Sequence, residues 1–140
     1  MDRAIARELI EQLNVDAERI ASRFGLRYAS ITAERANVKS RYGVCYSDGA
    51  IKIRLRHAST GRPLKYSSLV NTLCHELAHL RHFDHSPRFH AFYLEVLEYA
   101  RAAGIYRPRR PGPGAAAPPR RTAPARPATA AGPTQLTLFG

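Results

Sequence analysis

The order of periodic patterns in this sequence predicts an α+β fold, in which helices flank a small sheet. Apolar residues recur at the spacing of one helix face over residues 2–24 and again over residues 68–100. Between these segments, residues 42–55 alternate apolar and other side chains, which is typical of strands with one buried face. The order helix, hairpin, helix, helix therefore predicts one α+β domain over residues 1–106 of the 140-residue chain.

The first segment predicts a helix over residues 2–24 that ends at Gly25, since glycine is common at helix C-termini. The polar residues at 14–16 predict a break into two helices, with Asp16 as the N-cap of the second. The apolar stripe along this segment consists of Ile5, Leu9, Leu13, Ile20 and Phe24.

The middle segment predicts a β-hairpin that forms a small antiparallel sheet. Ser47, Asp48 and Gly49 supply a turn that tolerates positive φ. A weaker pattern predicts a further strand near residues 26–32. The alternating positions of the hairpin are Tyr42, Val44, Tyr46, Ile51, Ile53 and Leu55.

The third segment predicts two helices separated by a turn at residues 84–87. The first covers residues 68–83, with Ser67 or Ser68 as its N-cap, and Ser86 is suited to cap the second. The stripe of the first helix is Leu69, Leu73, Leu77 and Leu80. That of the second is Phe89, Tyr93, Val96, Leu97 and Ala100.

The composition excludes several classes of protein. With 44% hydrophobic residues the chain is not wholly disordered, and no apolar run approaches the roughly 20 residues of a membrane span. The first residues contain no apolar secretory segment, and Cys45 and Cys74 are too few for a disulfide framework. We therefore expect a cytoplasmic protein. Its net charge of +11 favours solubility or an acidic partner, such as the DNA of the nucleoid.

Residues 75–79 read His-Glu-Leu-Ala-His, which is the H-E-x-x-H pattern, within a predicted helix. Residues four apart lie on one helix face, so His75 and His79 can bind the same Zn²⁺. On a helical wheel the histidines lie opposite the leucine stripe, with Glu76 between the two faces. We therefore expect the histidine face to open into a cleft, where Glu76 takes a proton from the attacking water.

A catalytic zinc site needs a third protein ligand. His82 is disfavoured, because three ligands along one straight helix converge poorly on a tetrahedral ion. His85 is preferred, since it follows the predicted helix end, where the chain can turn back; this is the ligand spacing of metzincins, which have glycine at the position of His82. Glu98 remains the alternative. Glu95 is a further candidate, whereas His57 and His90 are expected at the surface or beside the site rather than as ligands.

The residues around this motif resemble those of the SprT-like and YgjP-like zinc metallopeptidases. Those families show H-E-L-x-H, a short turn, and then His-Ser and an aromatic pair, which matches residues 75–79 and 85–89 here. Their segment basic-Ser-x-Trp-Gly-Ser-Cys-x-x-x-Gly is similar to residues 39–49. The resemblance covers about residues 15–105.

The resemblance implies a zincin-like minimal metalloprotease fold and peptide hydrolysis, with one Zn²⁺ held by His75, His79 and His85 and Glu76 as general base. An extended substrate could pair with the hairpin edge. The sequence departs from the family pattern, in ways that concern the substrate cleft, at Tyr42, Val44 and His90. The residue that stabilises the oxyanion is left open among Tyr66, Tyr93 and Arg88.

The last quarter of the chain predicts a tether rather than a domain. Residues 107–134 are rich in Pro, Ala, Gly and Arg and lack large apolar side chains, so we expect a disordered linker. Residues 135–140 resemble the bacterial sliding-clamp-binding peptide. The residues expected to contact the clamp are Gln135, Leu136, Leu138 and Phe139. The linker arginines that could contact DNA phosphates are Arg109, Arg110, Arg120, Arg121 and Arg126.

Three functions are consistent with these features. The first is a zinc-dependent metallopeptidase that acts on DNA-associated proteins and is recruited by the sliding clamp. The second is a non-catalytic, zinc-stabilised adaptor that binds DNA or the clamp, and the third is a zinc hydrolase of a small molecule such as a nucleotide. The resemblance favours the first, because some SprT-like proteases degrade proteins crosslinked to DNA.

Overall fold

In the computed structural model, two helices pack on one face of a three-stranded sheet, and a third helix packs on the first two. The structure describes residues 3–35, 37, 38 and 40–108. The helices are α1 (Arg3–Phe24), α2 (Tyr66–His79) and α3 (Pro87–Ala102). The strands are β1 (Ser30–Ala33), β2 (Gly43–Cys45) and β3 (Ala50–Ile53). This arrangement confirms the predicted α+β class.

α1 is one continuous helix, so the predicted break at residues 14–16 was wrong. Asn14 Nδ2 donates to Ile10 O within the helix at 2.9 Å and to Ile31 O of β1 at 3.2 Å. Asp16 is buried rather than capping a helix, and its Oδ2 accepts from Tyr66 Oη at 2.6 Å. The two polar side chains form hydrogen bonds with residues of other elements rather than with the backbone of a helix end, and the helix continues through them.

The sheet has the strand order β1-β3-β2 and is mixed rather than antiparallel. The hairpin of β2 and β3 is antiparallel, as predicted, and Asp48 Oδ1 accepts from Ala50 N in its turn at 3.0 Å. β1, which begins at Ser30, pairs parallel with β3 and places Ile31 opposite Ile51. The expectation of a purely antiparallel sheet was wrong, because alternation identifies a strand but not the direction in which a distant strand joins.

α2 begins at Tyr66 and ends at His79, so it starts and stops earlier than predicted. Lys65 occupies the N-cap without a side-chain hydrogen bond, and neither Ser67 nor Ser68 has the predicted capping role. Tyr66, the first residue of the helix, is instead tied to α1 by its side chain, since its hydroxyl donates to Asp16.

α3 begins as the sequence predicted. Ser86 is the N-cap, its Oγ accepts from Phe89 N at 3.3 Å, and Pro87 lies in the first turn. The cap fixes where the helix starts, which sets the direction of its first aromatic side chain.

α2 is the central element, because it contacts α1, α3, β2 and β3. Its leucines at positions 69, 73 and 77 are fully buried, which confirms the predicted stripe, and they share one core with Ile51 and Ile53 of β3. Burying this face fixes the rotation of α2 and hence the direction of its polar residues. None of the described helices is both long and apolar enough to cross a membrane.

Candidate metal centre

Three histidines meet at the carboxyl end of α2. His75 and His79 lie one turn apart on the helix, and His85 follows in the connection to α3. One ligand nitrogen from each of these residues, which we call the histidine cluster, lies within 4.8 Å of the others. Among the described residues, no other group of His, Cys, Asp or Glu has this arrangement. The structure thus brings together the motif histidines and the preferred third ligand.

The turn after α2 brings His85 back to the helix. Arg81 N and His82 N still donate to Ala78 O, at 3.1 and 3.2 Å, so the helical pattern continues briefly. His79 Nδ1 then lies 3.0 Å from His82 O. His82 therefore contributes its carbonyl group to the site, and its presence where metzincins have glycine does not prevent the chain from turning back.

One pair of nitrogens in the cluster has the spacing of zinc ligands. With His79 Nδ1 donating to a carbonyl oxygen, its Nε2 carries the lone pair that a metal requires. His79 Nε2 lies 3.2 Å from His85 Nε2. Two nitrogens bound to a tetrahedral zinc at about 2.0–2.1 Å are about 3.3 Å apart. The donor type of all three residues, the tautomer of His79 and the spacing of the His79–His85 pair agree with a zinc site.

The surroundings of the cluster favour neutral imidazoles. Burial lowers the pKa of His79 to about 4, although its hydrogen bond to His82 O acts in the opposite direction, and the neighbouring histidines lower it further. Burial is also the main cause that lowers the pKa of His85, with a second contribution from His75. Because neutral imidazole is the form that binds metals, the site favours the metal-binding state.

α3 covers much of the histidine face. The Phe89 ring stacks on His79 with centroids 4.1 Å apart and meets His75 edge-on at 4.9 Å. Tyr93 lies 5.2 Å from His75 and donates its hydroxyl to Asn71 Oδ1. The expectation that this whole face opens into a cleft was wrong, because the apolar stripe of α3 packs against it and leaves His79 only 7% exposed.

Glu76 lies between the histidine cluster and the sheet. It is 4% exposed, and its Oε2 lies 3.3 Å from His75 Nδ1. A Cβ atom on Gly43 of β2 would lie 2.6 Å from Thr72 Cγ2 and 3.2 Å from Glu76 Oε2. Only glycine therefore lets β2 approach α2 this closely. Sequence reasoning missed this role, although a glycine inside a strand pattern often marks such an approach.

β2 is an edge strand beside Glu76. Tyr42 O accepts from Arg54 N at 2.7 Å across the hairpin, so the alternate residues Gly43 and Cys45 turn their main-chain groups away from β3. No described strand pairs with this outer edge. The edge therefore carries main-chain donors and acceptors next to a buried carboxylate, and of its two residues Gly43 is buried and Cys45 is half-buried.

The other candidates from the sequence lie away from the cluster. Glu98, the alternative third ligand, is exposed on α3 and accepts from Arg101 Nε at 2.9 Å. Tyr66, a candidate for oxyanion stabilisation, is bonded to Asp16 on the side of α1. His57 and His90, which were not expected to be ligands, and the further candidate Glu95 are exposed as well.

The predicted sites in the tail lie outside the described residues. They include the linker beyond Pro108 and the peptide at residues 135–140. The phosphate-contacting candidates there are Arg109, Arg110, Arg120, Arg121 and Arg126. The clamp-contacting candidates are Gln135, Leu136, Leu138 and Phe139.

Comparison with solved structures shows a related fold. Wss1 from Saccharomyces cerevisiae is 16% identical, with a TM-score of 0.65 over 74% of this chain and 84% of that chain. Wss1 from S. pombe is 21% identical, with a TM-score of 0.62 over 74% of this chain and 90% of that chain. No curated protein sequence matches the chain. Placement among the SprT-like and YgjP-like families stays a prediction. The family model of the WLM domain matches residues 5–108, and the protein therefore belongs to the WLM domain family.

Proposed function

We propose that this protein is a zinc-dependent metallopeptidase that cleaves proteins associated with DNA. The observation that carries the proposal is the histidine cluster, with its ligand atoms within 4.8 Å of one another and the buried Glu76 beside it. The fold shared with Wss1 and the membership of the WLM family support a metalloprotease of this kind.

His75, His79 and His85 would hold the metal, and each has a support within the chain. His79 is oriented by His82 O and by the ring of Phe89. A zinc ion held there would lower the pKa of a coordinated water to about 7 and polarise a peptide carbonyl. Glu76 would take the proton of the attacking water and pass it to the leaving amine.

The outer edge of β2 would hold the substrate. An extended peptide that adds to Gly43 and Cys45 would run past Glu76, since the backbone of Gly43 lies against that side chain. Main-chain pairing of this kind places a scissile bond with little dependence on substrate side chains. That property suits a peptidase whose substrates share a location rather than a sequence.

The tail of the chain, by binding the sliding clamp, would bring the peptidase to its DNA-associated substrates. We place the clamp-binding contacts at residues 135–139, as the resemblance of this peptide implies, and auxiliary phosphate contacts at the linker arginines. The protein would then act in the cytoplasm, at the nucleoid. The SprT-like relationship belongs to the same proposal, since it is the resemblance that suggests crosslinked proteins as substrates.

The test compares cleavage of a DNA-bound protein by the wild type and by Glu76→Gln, with and without DNA, after zinc content has been measured. We expect Glu76→Gln to retain zinc and to lose about 10²–10⁴-fold in rate, because general base catalysis contributes about that much. The matched control is Glu98→Gln, an exposed glutamate on α3, which should cleave at the rate of the wild type.

Two outcomes would point to the other functions. Clamp binding that requires Leu138 and Phe139, without any effect of Glu76→Gln on any activity, would indicate an adaptor. Hydrolysis of nucleotides in preference to peptides, with the same dependence on Glu76, would indicate a small-molecule hydrolase. A purified protein without metal would contradict the peptidase directly.

A further inference from the structure

Positive charge is segregated within the folded domain. Residues 34–65, which contain β2, β3 and their loops, carry eight Lys or Arg and two acidic residues, a net charge of +6. The rest of residues 1–106 carries eight basic and nine acidic residues, a net charge of −1. The sheet region therefore holds the whole positive excess of the domain, while the helices are close to neutral.

A cavity of about 360 Å³ lies in this positive region. It lies where the parallel strands β1 and β3 end. Glu34 and Arg35 line it after β1, and Arg54 and Arg56 line it after β3. The loop at residues 57–61 forms a further wall. Cavities at the carboxyl ends of parallel strands are common ligand sites, and this volume is within the usual range for small ligands. None of its lining residues belongs to the histidine cluster.

The wall of this basic cavity has more positive than negative groups. Three arginines line it, and Glu34 is the one acid among its described lining residues. Both Nε and one Nη of Arg41, from outside the cavity, lie 2.9 Å from Glu34 Oε2. The carboxylate is thus neutralised by an arginine other than the three in the wall, which leaves the cavity attractive to an anion.

Arg54 is a buried member of this wall and packs against an aromatic ring. It is 7% exposed, and its guanidinium carbon lies 4.3 Å from the centroid of the Tyr42 ring, in a cation–π contact. A guanidinium fixed in a plane can bind a phosphate through two parallel hydrogen bonds, and it loses little side-chain entropy on binding.

The loop at residues 57–61 has internal hydrogen bonds. Gly61 N donates to His57 O at 3.0 Å, and Arg62 N donates to Thr60 Oγ1 at 3.2 Å. Gly61 has a φ of 75°, a conformation that favours glycine. Ser59 and Thr60 of this loop are among the residues that line the cavity, and both carry hydroxyl groups.

We propose that the basic cavity binds a phosphate group, carried by a nucleotide or by a nucleic-acid strand. Three arginines, two hydroxyl-bearing residues and one neutralised carboxylate form a wall suited to a phosphate and its adjoining sugar. This site goes beyond the peptidase function, because it uses none of the residues assigned to metal binding or catalysis.

The test is an NMR titration of the full chain, in which amide shifts are followed during addition of inorganic phosphate, deoxyadenosine monophosphate or a single-stranded oligonucleotide. We expect saturable shifts at residues 33–35 and 54–61. The variant Arg35→Gln with Arg56→Gln should weaken binding about tenfold or more, because two charged donors are lost. The matched control, Arg19→Gln with Arg101→Gln, removes the same charge from exposed helix positions and should bind within about twofold of the wild type.

The three ligands identify the source of the phosphate. Saturation by the mononucleotide or by inorganic phosphate supports a small-molecule ligand, whereas saturation at these residues by the oligonucleotide alone supports a nucleic-acid strand. Shifts that do not saturate, shifts confined to other residues, or equal weakening by the control variant would overturn the proposal. None of these measurements depends on peptidase activity, and a well-dispersed spectrum of each variant shows that it is folded.

Discussion

The two ends of α2 each bury polar groups, but the groups are arranged in different ways. At the amino end, Asp16 Oδ2 accepts from Tyr66 Oη at 2.6 Å and from Gln12 Nε2 at 3.2 Å, so an acceptor faces two donors. At the carboxyl end, the nitrogens of His79 and His85 face each other at 3.2 Å. The first cluster consists of groups with fixed donor and acceptor roles, whereas the second consists of imidazole nitrogens, which form a hydrogen bond or bind a metal according to their tautomer. The chemical type of the buried groups thus distinguishes a structural polar cluster from a candidate metal site.

The largest effect should come from removing one histidine side chain of the histidine cluster, at the carboxyl end of α2. We expect His85→Ala to weaken zinc binding by more than about a hundredfold, since loss of a direct ligand exceeds the cost of losing an outer partner. Competition with a chromophoric chelator measures the affinity. The control is His90→Ala, an exposed histidine on α3. If the two variants bound zinc equally well, the difference between the clusters would have no functional meaning.

A second prediction tests the contact between β2 and the carboxyl end of α2. Gly43→Ala should lower the free energy of unfolding by about 2 to 3 kcal/mol, because its Cβ would lie 2.6 Å from Thr72 Cγ2. Chemical denaturation of the metal-free protein measures the change. Adding Thr72→Ser removes the clashing methyl group and should recover part of the loss. A double variant no more stable than Gly43→Ala would show that the close approach has another origin.

A third prediction concerns the polar cluster of Asp16, Tyr66 and Gln12 at the amino end of α2. Tyr66→Phe should cost about 1 to 2 kcal/mol of unfolding free energy, because it removes a donor from the buried Asp16 carboxylate. Zinc affinity should stay within about twofold of the wild type, since the histidines are untouched. Urea denaturation and the chelator assay measure the two quantities. A large fall in zinc affinity would mean that the two ends of α2 are coupled.

A fourth prediction concerns pH. Burial lowers the pKa of His79 to about 4, so in metal-free protein the unfolded state binds more protons than the folded state between about pH 4 and the ordinary value of 6.5. The contribution of His79 to stability is therefore complete above pH 6.5 and is lost as the pH falls towards 4. Denaturation across this range should show a shallower slope for His79→Gln. An unchanged slope would mean that other groups cause the dependence.

Local patterns in the sequence predicted much of the candidate site. The spacing of His75 and His79 and the helix end before His85 are short-range features, and the structure places these three residues together. The Ser86 cap was predictable for the same reason, because a cap depends on residues within one turn.

Features that depend on distant contacts could not be predicted in this way. The helix continues through Asn14 because its side chain bonds to Ile31 of another element, and no local pattern encodes that bond. The parallel pairing of β1 with β3 joins residues 20 positions apart, such as Ser30 and Ala50, so no local pattern encodes it. The basic cavity is formed by two strand ends and a loop, so its arginines appear in the sequence only as scattered charges.

The position of Phe89 links helix formation to the metal site. Its backbone amide completes the N-cap of α3, and its ring lies under His79, while His85 immediately precedes the cap residue Ser86. A zinc ion bound by the three histidines would close a short ring of chain between the end of α2 and the start of α3. Metal binding would then add to the stability that the first turn of α3 already has from its cap and from the burial of Phe89. Amide hydrogen exchange in the first turn of α3 would report whether the metal is bound.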